Sequence, residues 1–154
     1  MTMLAPLEVG ICCADLDTLA AFYTDVLGFT AVGTIEVPAE KATGTGLCDS
    51  GYRVTRLQTP YGERIKLLQP ATPPAESAPA ARILDRRNTV YLTIIIDDLH
   101  GMVDRLRGAG VEPLTGPEPV EVRPGTVLAF VRDPEGNVLE FVRYADVRAY
   151  RPDL

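Results

Sequence analysis

Tryptophan is absent from this sequence, histidine occurs once, at His100, and cysteine three times, at Cys12, Cys13 and Cys48. Three cysteines cannot all pair within one chain, and adjacent ones such as Cys12 and Cys13 rarely bridge each other, so reduced thiols are expected. None stands in a C-x-x-C spacing, which removes the usual basis for a cysteine-built zinc site. Basic charge is also short: 15 Lys and Arg stand against 21 Asp and Glu, a net charge of −6. That balance repels a nucleic-acid backbone and excludes nucleic acid as a partner. No apolar run is long enough to cross a bilayer, and the chain opens without a basic segment, so the expectation is a cytoplasmic protein with no membrane partner. What remains is 154 residues, 46% hydrophobic and 23% charged. That suits a single globular domain able to bury roughly 68–70% of its unfolded surface.

The chain repeats itself. Leu7-Glu8-Val9-Gly10-Ile11-Cys12-Cys13 and Val90-Tyr91-Leu92-Thr93-Ile94-Ile95-Ile96 read as strands. Each is followed by an amphipathic helix, with Leu16, Leu19, Ala20 and Tyr23 matching Leu99, Met102, Val103 and Leu106 at i, i+3, i+4 and i+7. Asp15 and Asp98 stand where a carboxylate caps a helix start, and Gly28 and Gly110 where a left-handed residue ends one. Thr59-Pro60-Tyr61-Gly62-Glu63-Arg64-Ile65-Lys66-Leu67 aligns without gaps on Asp133-Pro134-Glu135-Gly136-Asn137-Val138-Leu139-Glu140-Phe141. Pro followed two residues later by Gly, between apolar stretches, predicts a β-hairpin in each copy. Each half therefore reads as strand, helix, strand, hairpin. The Pro-rich stretch from Pro70 to Pro79 reads as a semi-rigid connector. This gives a first module at about 5–70, a linker at 71–87, a second module at about 88–145 and a tail at 146–154. The loop from Pro38 to Gly51 has no counterpart of similar length in the second half, and reads either as a lid over a pocket or as a mobile surface loop.

Two stretches resemble a known family. The Asp-Leu-Asp opening with Ala21-Phe22-Tyr23-Thr24-Asp25-Val26-Leu27-Gly28-Phe29 is similar to the first-module signature of the vicinal oxygen chelate superfamily, the glyoxalase, bleomycin-resistance and dioxygenase-like proteins. Asp133 to Glu140 resembles the signature closing their second module. The resemblance spans about Leu7 to Tyr144. It implies an α+β fold of two βαβββ modules, forming curved mixed sheets around a cavity that holds a small organic ligand. It also implies a homodimer, with modules paired within or between chains.

Family enzymes hold one divalent metal with four side chains, from the opening and closing strands of each module. Carried over, those positions are Glu8, Lys66, Tyr91 and Glu140. The repeat supports the same quartet, pairing Glu8 with Tyr91 and Lys66 with Glu140. Period-two alternation sets Glu8, Gly10 and Cys12 opposite Leu7, Val9 and Ile11, and sets Tyr91 and Thr93 opposite Leu92 and Ile94. Cys12, Arg53 and Thr93 join the quartet as candidate ligand-binding residues. The family pattern has His or Glu where this chain has Lys66 and Tyr91. A Lys ammonium has no lone pair to donate, and a tyrosine binds metal well only after losing a proton whose reference pKa is about 10. Only Glu8 and Glu140 suit Zn²⁺, Mn²⁺ or Fe²⁺. The expectation is a site without metal or other cofactor, with Lys66 replacing the cation and making charge-assisted hydrogen bonds to Glu8 or Glu140.

Three functions compete. The first is a binding protein resembling bleomycin-type resistance proteins, which sequester a drug or secondary metabolite. The acid excess favours a neutral or cationic ligand, an inference opposed by Lys66 and Arg53. The second is a metal-independent isomerase or lyase of the glyoxalase or epimerase type. There Glu8 or Glu140 is general base, Lys66 stabilises an oxyanion and Tyr91 donates a proton. The third is a metal enzyme of the glyoxalase, epimerase or ring-cleaving dioxygenase kind, on Glu8 and Glu140. Outside the cavity, His100 reads as a solvated helix-start residue, and Arg82, Arg86 and Arg87 as solvating the linker. The tail with Tyr150 packs either on the domain or on a partner.

Overall fold

The computed structural model describes residues 2–154, which divide after Ser77 into two compact units. In the first unit, β1 (Glu8–Cys12) is followed by α1 (Leu16–Ala21), β2 (Thr30–Val37), α2 (Ala39–Gly44), β3 (Tyr52–Gln58) and β4 (Arg64–Pro70). The second contains β5 (Tyr91–Ile95), α3 (Leu99–Gly108), β6 (Val120–Arg123), β7 (Thr126–Arg132), β8 (Val138–Tyr144) and the short α4 (Val147–Tyr150). The sheet orders are β1-β4-β3-β2 and β5-β8-β7-β6. In each, the opening strand lies parallel to the closing strand and the remaining pairs are antiparallel. A parallel pair needs a long crossover, and the helix after each opening strand belongs to that connection. The result is βαβββ twice over.

Local chemistry explains why these segments fold alike. Asp15 accepts from the Thr18 amide at 3.0 Å and Asp98 from the Gly101 amide at 2.9 Å, satisfying backbone donors that a helix start leaves unpaired. Gly28 and Gly110 end their helical segments at φ +77° and +80°, the left-handed conformation glycine adopts without strain. Both hairpins close in the same way. The Thr59 amide donates to the Glu63 carbonyl, and the Asp133 amide to the Asn137 carbonyl, each at 2.9 Å.

The second hairpin carries an additional lock. Asp133 is 4% exposed and accepts from the Glu135 amide, the Asn137 amide and the Asn137 side chain at 2.9–3.1 Å. Buried donors left without an acceptor cost about 1–3 kcal/mol each. Asp133→Ala is therefore expected to destabilise the protein by about 3 kcal/mol, which urea unfolding would measure.

Each helix buries its apolar stripe on its own sheet. Leu16, Leu19 and Tyr23 are fully buried on the side that meets Leu57 and Leu67, and Leu99, Val103 and Leu106 on the side that meets Val131, Leu139 and Phe141. After Ala21 the first helix widens into a π turn, Phe22–Val26. Phe22 and Tyr23, at i+3 and i+4 from Leu19, are both buried there. The segment read from sequence as a loop, 38 to 51, is more ordered than that reading: α2 lies within it, and Ala42 is buried. No helix among the described residues is long and apolar enough to cross a membrane.

Candidate functional site

Helices cover one side of each sheet; the other, the open side, carries the exposed and half-buried polar side chains, while Val54, Leu128, Val138 and Val142 on the same side are buried. In the first unit Ile65 and Leu67 point to α1, and the intervening Arg64 and Lys66 stand on the open side with Glu8, Gly10 and Cys12. The Lys66 Nζ lies 3.6 Å from Glu8 Oε2. This is an ion pair beyond hydrogen-bond length, so the charge-assisted hydrogen bond expected from sequence is replaced by a looser contact. Arg64, which the sequence reading did not select, places Nη1 3.9 Å from Glu8 Oε1, while its Nε donates to Gln58 at 2.8 Å. Glu8 thus faces two cations. All three side chains keep 35–39% of their surface exposed, and ion pairs so accessible contribute at most about 1 kcal/mol. Glu8, Arg64 and Gln58 border a hollow of about 290 Å³.

In the second unit the corresponding chemistry differs. Register pairs Gly10 with Lys66 in one sheet and Thr93 with Glu140 in the other. The Thr93 hydroxyl donates to Glu140 Oε2 at 2.6 Å. Tyr91 packs edge-on against Phe130, the rings 5.4 Å apart at 87°, and Phe130 is the cross-strand neighbour of Glu140. Tyr91, Thr93, Phe130 and Glu140 therefore make one amphipathic patch.

At the end of this sheet the tail packs within its own unit: Tyr150 stacks on Tyr144 with ring centroids 4.0 Å apart. Burial, the hydroxyl pairing with Tyr150 and the nearby Glu140 charge push the Tyr144 phenol up to about 12. A folded pKa above the unfolded value of about 10 adds stability that is complete below pH 10 and lost as pH rises towards 12. Tyr150→Ala is expected to bring the Tyr144 midpoint back towards 10, read as tyrosinate absorbance in an alkaline titration.

Of the two further ligand-binding candidates in the first unit, Cys12 shares the side of Glu8 and Lys66, and Arg53 does not. Cys12 is exposed on the Glu8 side, two positions beyond Gly10. Arg53 stands on the opposite, helix side, where its guanidinium donates to Asp17 at 3.2 Å and Gln69 at 2.8 Å. This corrects its grouping with Lys66: alternation along β3 turns Arg53, Thr55 and Leu57 one way and Arg56 the other. Arg53 instead lines a separate hollow of about 600 Å³ at the end of the sheet, with Glu36, Val37, Tyr52 and Pro70.

The donor chemistry at the first unit's positions does not suit a divalent cation. One carboxylate there is matched by an ammonium and a guanidinium, neither of which has a lone pair to give. Among the described residues no three His, Cys, Asp or Glu side chains converge.

Comparison with known proteins agrees with this architecture. Residues 5–141 match the Glyoxalase/Bleomycin resistance protein/Dioxygenase superfamily, and the chain belongs to that superfamily. It is 27% identical over 129 residues to a lactoylglutathione lyase of Haemophilus influenzae, covering 83% of this chain and 84% of that one. Among solved structures, a glyoxalase family protein from Bacillus cereus superposes with a TM-score of 0.78 at 23% identity, over 95% of this chain and 97% of that chain. The trypanothione-dependent glyoxalase I of Leishmania major gives 0.66 at 21% identity, over 96% and 91%. At such identities the superpositions speak for the fold alone.

Proposed function

We propose that this protein binds a small organic molecule against the open sides of its sheets without a divalent metal, sequestering it in the manner of bleomycin-type resistance proteins. The observation that carries the reading is the contact of Lys66 with Glu8 at 3.6 Å. An ammonium held there supplies the positive charge that a metal would otherwise supply, and repels any cation brought beside it. The protein is taken to act as a cytoplasmic homodimer. The test is a small-molecule panel followed by thermal melting in excess chelator, with product analysis of each hit. Stabilisation that survives chelation, with the compound recovered unchanged, is the expected result. Stabilisation that appears only with added metal contradicts it.

Likeness to a lactoylglutathione lyase favours a second reading, a metal-independent lyase or isomerase on the same surface. Glu8 or Glu140 would take a proton, Lys66 would stabilise the developing oxyanion, and Tyr91 would return a proton. Turnover in excess chelator, lost in both Glu8→Gln and Glu140→Gln, selects this reading over sequestration. A ring-cleaving dioxygenase needs a metal that Lys66 opposes, and is the least supported of the three.

A further inference from the structure

The open side of the first sheet carries positive charge in a chain whose total is −6. Strand register sets Gly10, Lys66, Arg56 and Gly33 side by side across all four strands. Arg56 and Lys66 are direct cross-strand partners, an arrangement of like charges that destabilises a sheet. Arg56 has no ion pair or side-chain hydrogen bond among the described residues, and Arg64 adds a third cation one row away. The single carboxylate on these strands near them is Glu8, which already faces Lys66 and Arg64.

The two flanking glycines give the row its shape. Neither has positive φ; Gly33 lies where the β2–β3 register shifts after Ala31, whereas Gly10 lies in an unbroken parallel ladder. A Cβ on Gly33 would meet nothing within 4 Å, and one on Gly10 only Leu68 Cδ1 at 3.4 Å. Glycine in a strand interior weakens the strand and marks a bulge, as at Gly33, or a place of close approach, as at Gly10. The next row along the sheet is Cys12, Leu68, Val54 and Ile35; Val54 in its middle is buried, and Ile35 at its edge is 45% exposed.

We propose that this row is the seat of a small organic anion, its carboxylate or phosphate held by Lys66 and Arg56 and its apolar body lying over Leu68 and Ile35. The anion offsets the repulsion between the two cations, and the glycines leave the backbone low enough for it to sit. This assignment rests on the proposed ligand-binding role of the open side and adds the chemical class of the ligand.

The test titrates four probes of one shape into the full chain: naphthalene-2-carboxylate, 2-naphthyl phosphate, 2-naphthamide and 2-naphthylmethylamine. Binding is followed by amide chemical shifts of residues 52–58 and 64–70. The anions are expected to shift these amides, with the carboxylate at least about tenfold tighter than the amide, as a charge-assisted contact implies; the tighter of the two anions identifies the headgroup. Arg56→Gln should weaken the anions about tenfold without lowering the melting temperature, since it removes a repulsive pair. Gly33→Val should weaken them by filling the shelf while leaving the fold intact. An amide or ammonium probe that binds as tightly as the carboxylate, or anion binding indifferent to Arg56→Gln, overturns the anion seat and leaves small-molecule binding standing. Failure of all four probes to move these amides overturns both readings for this sheet.

Discussion

Lys66→Met is expected to weaken binding of an anionic ligand by about tenfold to a hundredfold while leaving the melting temperature within about 4 °C of the parent. The two effects separate because the Lys66 side chain is 37% exposed and its partner Glu8 35% exposed. Solvent screens such a pair, so its loss costs at most about 1 kcal/mol. Part of that is returned when the repulsion between Lys66 and Arg56 disappears, and Glu8 keeps its contact with Arg64. A bound carboxylate, by contrast, loses a charge-assisted partner, worth about 1.5–3 kcal/mol. Titration calorimetry with naphthalene-2-carboxylate, beside a thermal melt, measures both. A large fall in melting temperature with affinity unchanged would make Lys66 a structural residue.

The largest stability effect belongs to the closing strands. Phe141 is fully buried, paired with Ile94 on one side and Ala129 on the other. Phe141→Ala removes a ring that the surrounding backbone cannot collapse to replace, at a cost of about 3–5 kcal/mol. For a chain of this size that is roughly 10 °C in melting temperature. Leu67, its counterpart in the repeat, is also fully buried, and Leu67→Ala should cost about 2–5 kcal/mol. Tyr61→Ala, at a hairpin residue 75% exposed, should stay within about 0.5 kcal/mol. Urea unfolding that fails to separate Phe141→Ala from Tyr61→Ala would contradict this description of the core.

The parts of the fold legible in the sequence were those written in local chemistry. A carboxylate before a helix, a glycine after it, and Pro-x-Gly between apolar stretches act over a few residues, and their duplication at Asp15 and Asp98, Gly28 and Gly110, and Gly62 and Gly136 disclosed two βαβββ units. Alternation likewise placed Glu8 and Lys66 opposite Val9 and Ile65. Features set by more distant or subtler interactions were harder to read. The helix after β1 widens into a π turn beyond Ala21, and the short α2 forms without a side-chain cap. Arg53, a ligand-binding candidate from sequence, is turned by alternation along β3 towards Asp17. The cationic row was missed because it exists only through register. Arg56 meets Lys66 across a hairpin, and Lys66 meets Gly10 across a parallel pairing of segments more than fifty residues apart, a relation that periodicity within one strand does not disclose. The signal available was that Arg56, Arg64 and Lys66 all alternate with buried neighbours.

Elemental analysis of protein purified without chelator tests the central claim most directly. With Lys66 beside Glu8, the account predicts far less than one transition metal per chain, and no saturable uptake of added Zn²⁺, Mn²⁺ or Fe²⁺. One tightly held metal per chain, released by Glu8→Ala or Glu140→Ala, would contradict it.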